Sequence, residues 1–204
     1  MKNLLFSIIL LVSLTSCKAV LKTYNHIKSP NLETESSIKK YLLRNKIDTS
    51  NVYVYKDLNS FVKASKMGLL VIPDIIIFNK EGNKVKYKED GIACNAKAGS
   101  FIAELSTFSN FPSDDTKKID DFVKLIDNPK QTNFTSAEIN VFINWTIYVG
   151  RLNKVKAFDW IKLIEIAKQK GININYYLLN CDFQKSWNLT SENQEALGIK
   201  KSKE

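Results

Sequence analysis

The spacing of apolar residues changes from helical to extended within the first part of the chain. Residues 31–45 repeat apolar side chains at intervals of three and four, which predicts a helix. Residues 50–55 instead alternate valine with polar or aromatic neighbours, which predicts a strand. A short helix capped by Asp57 or Asn59 is expected to follow. This order predicts the beginning of an α/β domain.

The most apolar internal run covers residues 69–78 and contains Pro73. Because proline has no N–H to donate within a sheet, we expect the strand to begin at Pro73 and to cover residues 73–79. A polar turn then leads into a second strand over residues 84–88, so the two strands should pair antiparallel. A loop and a further apolar helix follow, the helix lying after Gly99.

The second half of the chain is predicted to contain further helices and strands. An amphipathic helix is predicted from its cap at Ser113 to Asn128. The elements predicted after it are a strand at 141–149, a helix at 154–170 and a strand at 172–180. A helix between two strands favours a right-handed crossover, so these strands should pair in parallel. The sequence therefore predicts an α/β fold with a mixed sheet of four or five strands and helices on both faces.

The N-terminus has the pattern of an export signal. A short cationic start is followed by apolar residues 4–14, a run too short for a bilayer core that needs roughly 20 residues. The segment ends in Leu14-Thr15-Ser16-Cys17, which resembles the lipobox of bacterial lipoproteins. That resemblance implies cleavage after residue 16 and diacylation of Cys17. The alternative is a free or disulfide-bonded cysteine behind an ordinary signal peptide.

The lipobox sets the expected location and division of the chain. We expect residues 1–16 to be the signal peptide, 17–31 a polar tether, 32–190 the folded domain and 191–204 a polar tail. A diacylated cysteine holds a protein stably on a membrane, so we expect a lipid-anchored protein of the cell envelope, outside the cytoplasm. The membrane, reached through the N-terminal lipid, and an unidentified envelope protein are the expected partners.

Composition narrows the possible chemistry. The formal charge is +9, but the lysines are scattered and no arginine-rich groove with interleaved aromatics is visible, so nucleic acid is not an expected partner. The only histidine, His26, lies in the tether, where it has no second histidine with which to hold a metal. No glycine-rich phosphate loop or serine nucleophile motif occurs. We therefore expect neither a metal nor a cofactor.

Two segments carry a resemblance to the thioredoxin-like superfamily. "VIPDIIIFNKEGNKVKYKEDG", within residues 50–106, resembles the second half of that fold. "NWTIYVGRLNKVKAFDWIKLIEIAKQKGININYYLLNCDFQKSW", within residues 141–187, resembles the first half in its membrane-anchored cytochrome-maturation members. The halves thus occur in reversed order, joined by a connector at 107–140. A circularly permuted domain, a swapped dimer and two degenerate tandem units all fit this order.

The resemblance also implies where an active site would be. It makes Pro73 the cis proline that faces the active site, the alternative being an ordinary trans proline at a strand start. Thioredoxin chemistry needs a low-pKa thiolate at a helix N-terminus and a second cysteine three residues on. The matching stretch, Gly150 to Lys156, contains no cysteine. Catalysis is therefore not expected at this position.

Two further cysteines, Cys94 and Cys181, keep an alternative open. They can be free thiols or a disulfide, and the sequence does not choose between these states. Cys94 lies between glycines with Lys97 nearby, and we expect it to be the more reactive thiol; Cys181 follows an apolar strand and should be buried. The expected function is a membrane-tethered, non-catalytic interaction or accessory protein. The alternative is an envelope thiol-disulfide or thiol-dependent redox protein using Cys94 or Cys181.

Overall fold

The computed structural model describes residues 22–88, 96–105, 112–130, 132–134 and 136–199. The strands are β1 (Leu32–Glu33), β2 (Val52–Val54), β3 (Asp74–Asn79), β4 (Asn83–Val85), β5 (Ser113–Lys118), β6 (Ile139–Trp145), β7 (Ile174–Asn180) and β8 (Phe183–Gln184). The helices are α1 (Glu35–Arg44), α2 (Leu58–Lys66), α3 (Ala96–Ala103), α4 (Ile119–Val123), α5 (Arg151–Val155), α6 (Ala157–Gln169) and α7 (Ser191–Ala196). Short 3-10 turns occupy Ile147–Val149 and Lys185–Trp187.

Six of these strands form one mixed sheet in the order β2-β7-β6-β3-β4-β5, and β1 pairs separately with β8. The parallel pairing of β6 with β7 and the antiparallel pairing of β3 with β4 confirm both predictions. Strand β3 of the first half also pairs antiparallel with β6 of the second half. The two halves therefore share one sheet within a single chain, which is consistent with a permuted thioredoxin-like arrangement.

Helices cover both faces of the sheet, which confirms the predicted α/β class. Successive side chains of a strand point to opposite faces, so each buried strand contributes to two cores. One core packs α1, α3 and α6 on the sheet; its strand residues include Ile75, Ile77, Val141, Ile143 and Trp145. The other core packs α2 and α4 on the opposite face; its strand residues include Ile76, Phe78, Phe142, Tyr177 and Leu179.

The sheet is wider than the predicted four or five strands because residues 113–118 form β5, where a helix was expected. These residues, Ser-Asp-Asp-Thr-Lys-Lys, include no apolar side chain that could hold a helix on the core. They instead pair with the outer side of β4, and the amphipathic helix begins only at Ile119, the first buried apolar residue of the segment. The prediction of a helix beginning at Ser113 is wrong for this reason.

Two boundaries near the end of β6 also differ from the prediction. Strand β6 ends at Trp145, and Ile147–Val149 form a 3-10 turn rather than the last residues of a strand. The helix predicted at 154–170 is divided into α5 and α6, with a break at Lys156, whose φ of -134° is not helical. The backbone therefore turns twice between the end of β6 and the start of α6, and this region is where the resemblance implied an active site.

Candidate functional site

The candidate site lies where β6 and β7 reach their carboxyl ends, the edge at which α/β sheets usually bind ligands. Residues 146–156, called here the 146–156 edge, leave β6, turn through the 3-10 segment and form α5. Gly150 lies between the 3-10 turn and α5 with φ 59° and ψ -120°, a combination that residues with a side chain rarely adopt. The glycine therefore sets the path of the backbone at this edge.

Asn153 fixes the start of α5 from the inside. Its Nδ2 donates hydrogen bonds to the Thr146 carbonyl oxygen at 2.5 Å and to the Tyr41 hydroxyl oxygen at 3.0 Å. The Tyr41 ring in turn stacks on Trp145, with centroids 5.7 Å apart. Asn153 is fully buried, so its side chain serves the packing of this edge rather than facing a substrate.

Asp182 is the most perturbed carboxylate at this edge. Its Oδ2 accepts hydrogen bonds from the Ile147 N–H and from Asn180 Nδ2, both at 2.7 Å. Among the described residues, its Oδ1 has no hydrogen-bond partner and no lysine or arginine forms an ion pair with the carboxylate. Asp182 is 1% exposed, and this burial raises the pKa of its carboxyl from 3.8 to about 7. The sequence contains no local signal for this environment of Asp182.

The segment before β3 lies against the same edge. The Ile72–Pro73 peptide bond is cis. Asn144 of β6 holds this segment by donating from Nδ2 to the Leu69 carbonyl at 2.8 Å and to the Val71 carbonyl at 3.1 Å. The buried Asn144 side chain thus connects the end of β6 to the loop that leads into Pro73.

The carboxylate of Asp74, the residue directly after Pro73, is buried and bound by two neighbouring side chains. It accepts hydrogen bonds from the Tyr87 hydroxyl and from Lys88 Nζ, and the lysine forms an ion pair with it. Burial is the main cause that raises the pKa of the Tyr87 hydroxyl, and the neighbouring Asp74 charge adds to it. These contacts join β3 to the segment after β4. Both oxygens of the Asp74 carboxylate therefore already have partners within the protein.

Residues 22–28, within the segment predicted as a tether, are hydrogen-bonded to the 146–156 edge. The Lys28 N–H donates to the Tyr148 carbonyl at 2.9 Å, and the Arg151 N–H donates to the Asn25 carbonyl at 2.8 Å. A Cβ at Gly150 would lie 2.5 Å from the His26 carbonyl oxygen, so the close approach requires glycine. The backbone of residues 22–28 therefore covers the turn at Gly150. The sequence contains no local signal for this contact.

Cys181 lies at the end of β7 and is a free thiol with 1% exposure. Its Sγ donates to the Leu179 carbonyl at 3.4 Å. Desolvation, followed by the nearby Asp182 charge, raises the pKa of this thiol well above its ordinary value. Cys181 is therefore not an activated nucleophile in this state. Cys17 and Cys94 lie outside the described residues, as do the predicted signal peptide and most of the glycine-bounded loop around Cys94.

A concave surface runs beside the outer strand β2. Its volume is about 560 Å³, and its walls come from the β1–β8 pair, α1 and the segment after α4. The lining residues that carry charge or amide groups include Glu33, Lys39, Asp127, Lys130 and Gln184. A cleft of this size, lined by apolar residues of β2 and by polar groups, can hold a small ligand or a peptide segment. This surface, called here the β2 groove, is the second candidate site.

Other kinds of site are not seen in the described part of the chain. None of its helices combines the length and the apolar character needed to cross a membrane. Within the same residues, no cluster of three or more histidine, cysteine, aspartate or glutamate side chains could hold a metal ion. Comparison of the chain with known protein families, with curated proteins and with solved structures finds no match.

Proposed function

We propose that this protein is a membrane-tethered lipoprotein of the cell envelope whose thioredoxin-like domain binds another envelope protein and carries out no redox reaction. The observation that supports it best is the 146–156 edge. At the helix start where thioredoxin chemistry would need a thiolate, residues 150–156 contain no cysteine, and the backbone of residues 22–28 covers the turn.

The buried polar side chains of this edge hydrogen-bond to the protein's own backbone. Asn153 faces inward, Asn144 holds the loop before Pro73, and the Asp182 carboxylate accepts hydrogen bonds from the 3-10 turn. Each of these side chains hydrogen-bonds backbone atoms, and removing a partner from a buried backbone group is costly. These contacts support a rigid domain that presents a surface.

The alternative function needs a reactive thiol. The burial and the raised pKa of Cys181 argue against that residue, so a thiol-dependent activity would depend on Cys94. A binding role would use the β2 groove, whose lining of apolar and polar residues suits an extended segment of another protein.

The tether is tested by metabolic labelling with a fatty acid in the native bacterium. The wild-type protein should incorporate label and the Cys17→Ala variant should not, because the variant has no thiol at the lipobox cysteine. The unprocessed variant should also migrate as the larger precursor. Equal labelling of the two proteins would contradict lipid anchoring at this residue.

The choice between binding and redox chemistry is tested by photo-crosslinking in intact cells. A photoreactive amino acid at Lys130, in the β2 groove, should give a discrete adduct with an envelope protein. The same amino acid at Lys170, an exposed lysine outside the groove, is the matched control and should give none. The adduct should persist when Cys94→Ala and Cys181→Ala are combined. Its loss in a double variant that still unfolds cooperatively would favour the thiol-dependent alternative.

A further inference from the structure

The covered turn at Gly150 fixes where the chain leaves the domain towards the proposed lipid. Residues 22–28 are held at the 146–156 edge by two backbone hydrogen bonds, and the Arg151 guanidinium lies 4.8 Å from the centre of the Tyr24 ring. Only residues 18–21 separate Lys22 from Cys17. A fully extended chain advances at most about 3.6 Å per residue, so Lys22 lies within about 18 Å of an acylated Cys17.

The two segments that meet at this edge share one sign of charge. Residues 22–28 and 146–156 contain Lys22, Lys28, Arg151, Lys154 and Lys156, and neither segment contains an aspartate or glutamate. None of these five cations forms an ion pair with another described residue, whereas several lysines elsewhere do, for example Lys124 and Lys162. The nearby Asp182 carboxylate lies beneath the surface, with 1% exposure.

The exposed side chains also suit the boundary between lipid and water. Lys22, Lys28, Arg151 and Lys154 are exposed, and Tyr24 is 59% exposed beside them. Tyrosine is enriched at membrane interfaces because its ring is apolar and its hydroxyl is polar. Lysine and arginine next to a membrane are attracted by anionic headgroups within about one Debye length.

We propose that this basic edge, formed by residues 22–28 and 146–156, lies against anionic phospholipid headgroups and orients the domain on its membrane. The proposal rests on the lipid anchor of the proposed function, because the short segment after Cys17 is what brings the edge to the surface. The C-terminal end of α6 lies about 20 Å along the helix axis from the end that adjoins this edge, since thirteen helical residues extend that far.

The test uses the full acylated protein on vesicles of phosphatidylcholine alone or with added phosphatidylglycerol. Hydrogen exchange should slow in peptides covering 22–28 and 146–156 only when the anionic lipid is present, and high salt should remove this protection. Removing one positive charge from this edge should lower the ratio of bound to unbound orientations roughly fivefold. Lys154→Glu should therefore weaken the protection, whereas Lys170→Glu, with the same change of charge beyond the far end of α6, should not.

The possible outcomes separate this inference from the proposed function. If the protein is not acylated and fails to sediment with neutral vesicles, the proposed anchor is wrong, and so is the inference that depends on it. If it sediments but its exchange is the same on both kinds of vesicle, the anchor stands and the orientation is overturned. If a soluble polyglutamate peptide at equal charge concentration protects the edge better than anionic vesicles do, an acidic protein is the partner and the membrane assignment is overturned.

Discussion

The raised pKa of Asp182 predicts an unusual pH dependence of stability. The ordinary pKa of 3.8 applies to the unfolded chain, and burial raises the folded value to about 7. Between these values the folded protein holds a proton that the unfolded chain has released. The free energy of unfolding contributed by this group is therefore highest below about pH 4 and falls as the pH rises through about 7.

The size of the effect follows from the shift of the pKa. The rise of the Asp182 pKa from 3.8 to about 7 corresponds to roughly 4 kcal/mol between the fully protonated and fully ionised limits. Over the range from about pH 5 to about pH 8, two-state linkage gives a loss of about 2.5 kcal/mol from this group alone. Burial of the carboxyl, whose Oδ1 lacks a partner among the described residues, is the physical source of this cost.

The assay is urea unfolding at several pH values across this window, with Asp182→Asn compared with the wild type. The asparagine carbonyl can still accept from the Ile147 N–H, and the side chain cannot ionise, so it imitates the protonated acid. The unfolding free energy of the variant relative to that of the wild type should therefore rise by about 2.5 kcal/mol between about pH 5 and about pH 8. Asp115→Asn, at an exposed carboxylate, is the control and should leave the pH profile of the wild type unchanged.

The reasoning is refuted if the wild type and Asp182→Asn keep a constant difference in unfolding free energy across the window. It is also refuted if the wild type gains stability relative to the variant as the pH rises. That result would mean that the carboxylate is stabilised in the folded state, with a lowered pKa. The m-value of each protein should be the same throughout, because a changed m-value would indicate a changed unfolded or native state.

Three further predictions concern single residues. Gly150→Ala should lower the free energy of unfolding by about 1–3 kcal/mol, measured by urea denaturation, and should speed tryptic cleavage within residues 22–28, because its Cβ collides with that segment. Phe142→Ala should cost about 3–5 kcal/mol in the same assay, since its fully buried ring has an aromatic neighbour with its centroid 4.9 Å away; a loss below 1 kcal/mol would contradict tight packing. In timed alkylation without reductant, Cys94 should react first and Cys181 only on unfolding; the reverse order would contradict the burial of Cys181.

Local patterns were sufficient to predict the central elements. Strands β6 and β7 are apolar runs joined by an amphipathic helix, and the intervening helix was enough to predict their parallel pairing. The turn before β4 similarly predicted the antiparallel hairpin with β3. These elements obey rules that depend only on residues close in sequence. Burial of Cys181 followed in the same way from the apolar strand before it.

Contacts between distant residues were not predictable in this way. Strand β5 has no apolar alternation, and it is a strand only because the outer side of β4 offers backbone partners. The contact of residues 22–28 with Gly150 uses backbone carbonyls, which leave no signature in the side chains. The perturbation of Asp182 depends on the burial produced by the whole fold. Each of these features depends on contacts between elements that are far apart in the chain.

The pairing of early and late strands has a consequence for how the chain folds. Strand β2 pairs with β7, with Val52 opposite Leu178. Strand β3 pairs along its whole length with β6. Closing such long loops costs chain entropy before the contacts can compensate for it, so folding should be slow compared with that of a domain built from local hairpins. A chain that stopped after α4 would leave the apolar faces of β2 and β3 without their partner strands. The first half therefore should not persist as a folded intermediate, and the domain should assemble only when its last strands are available.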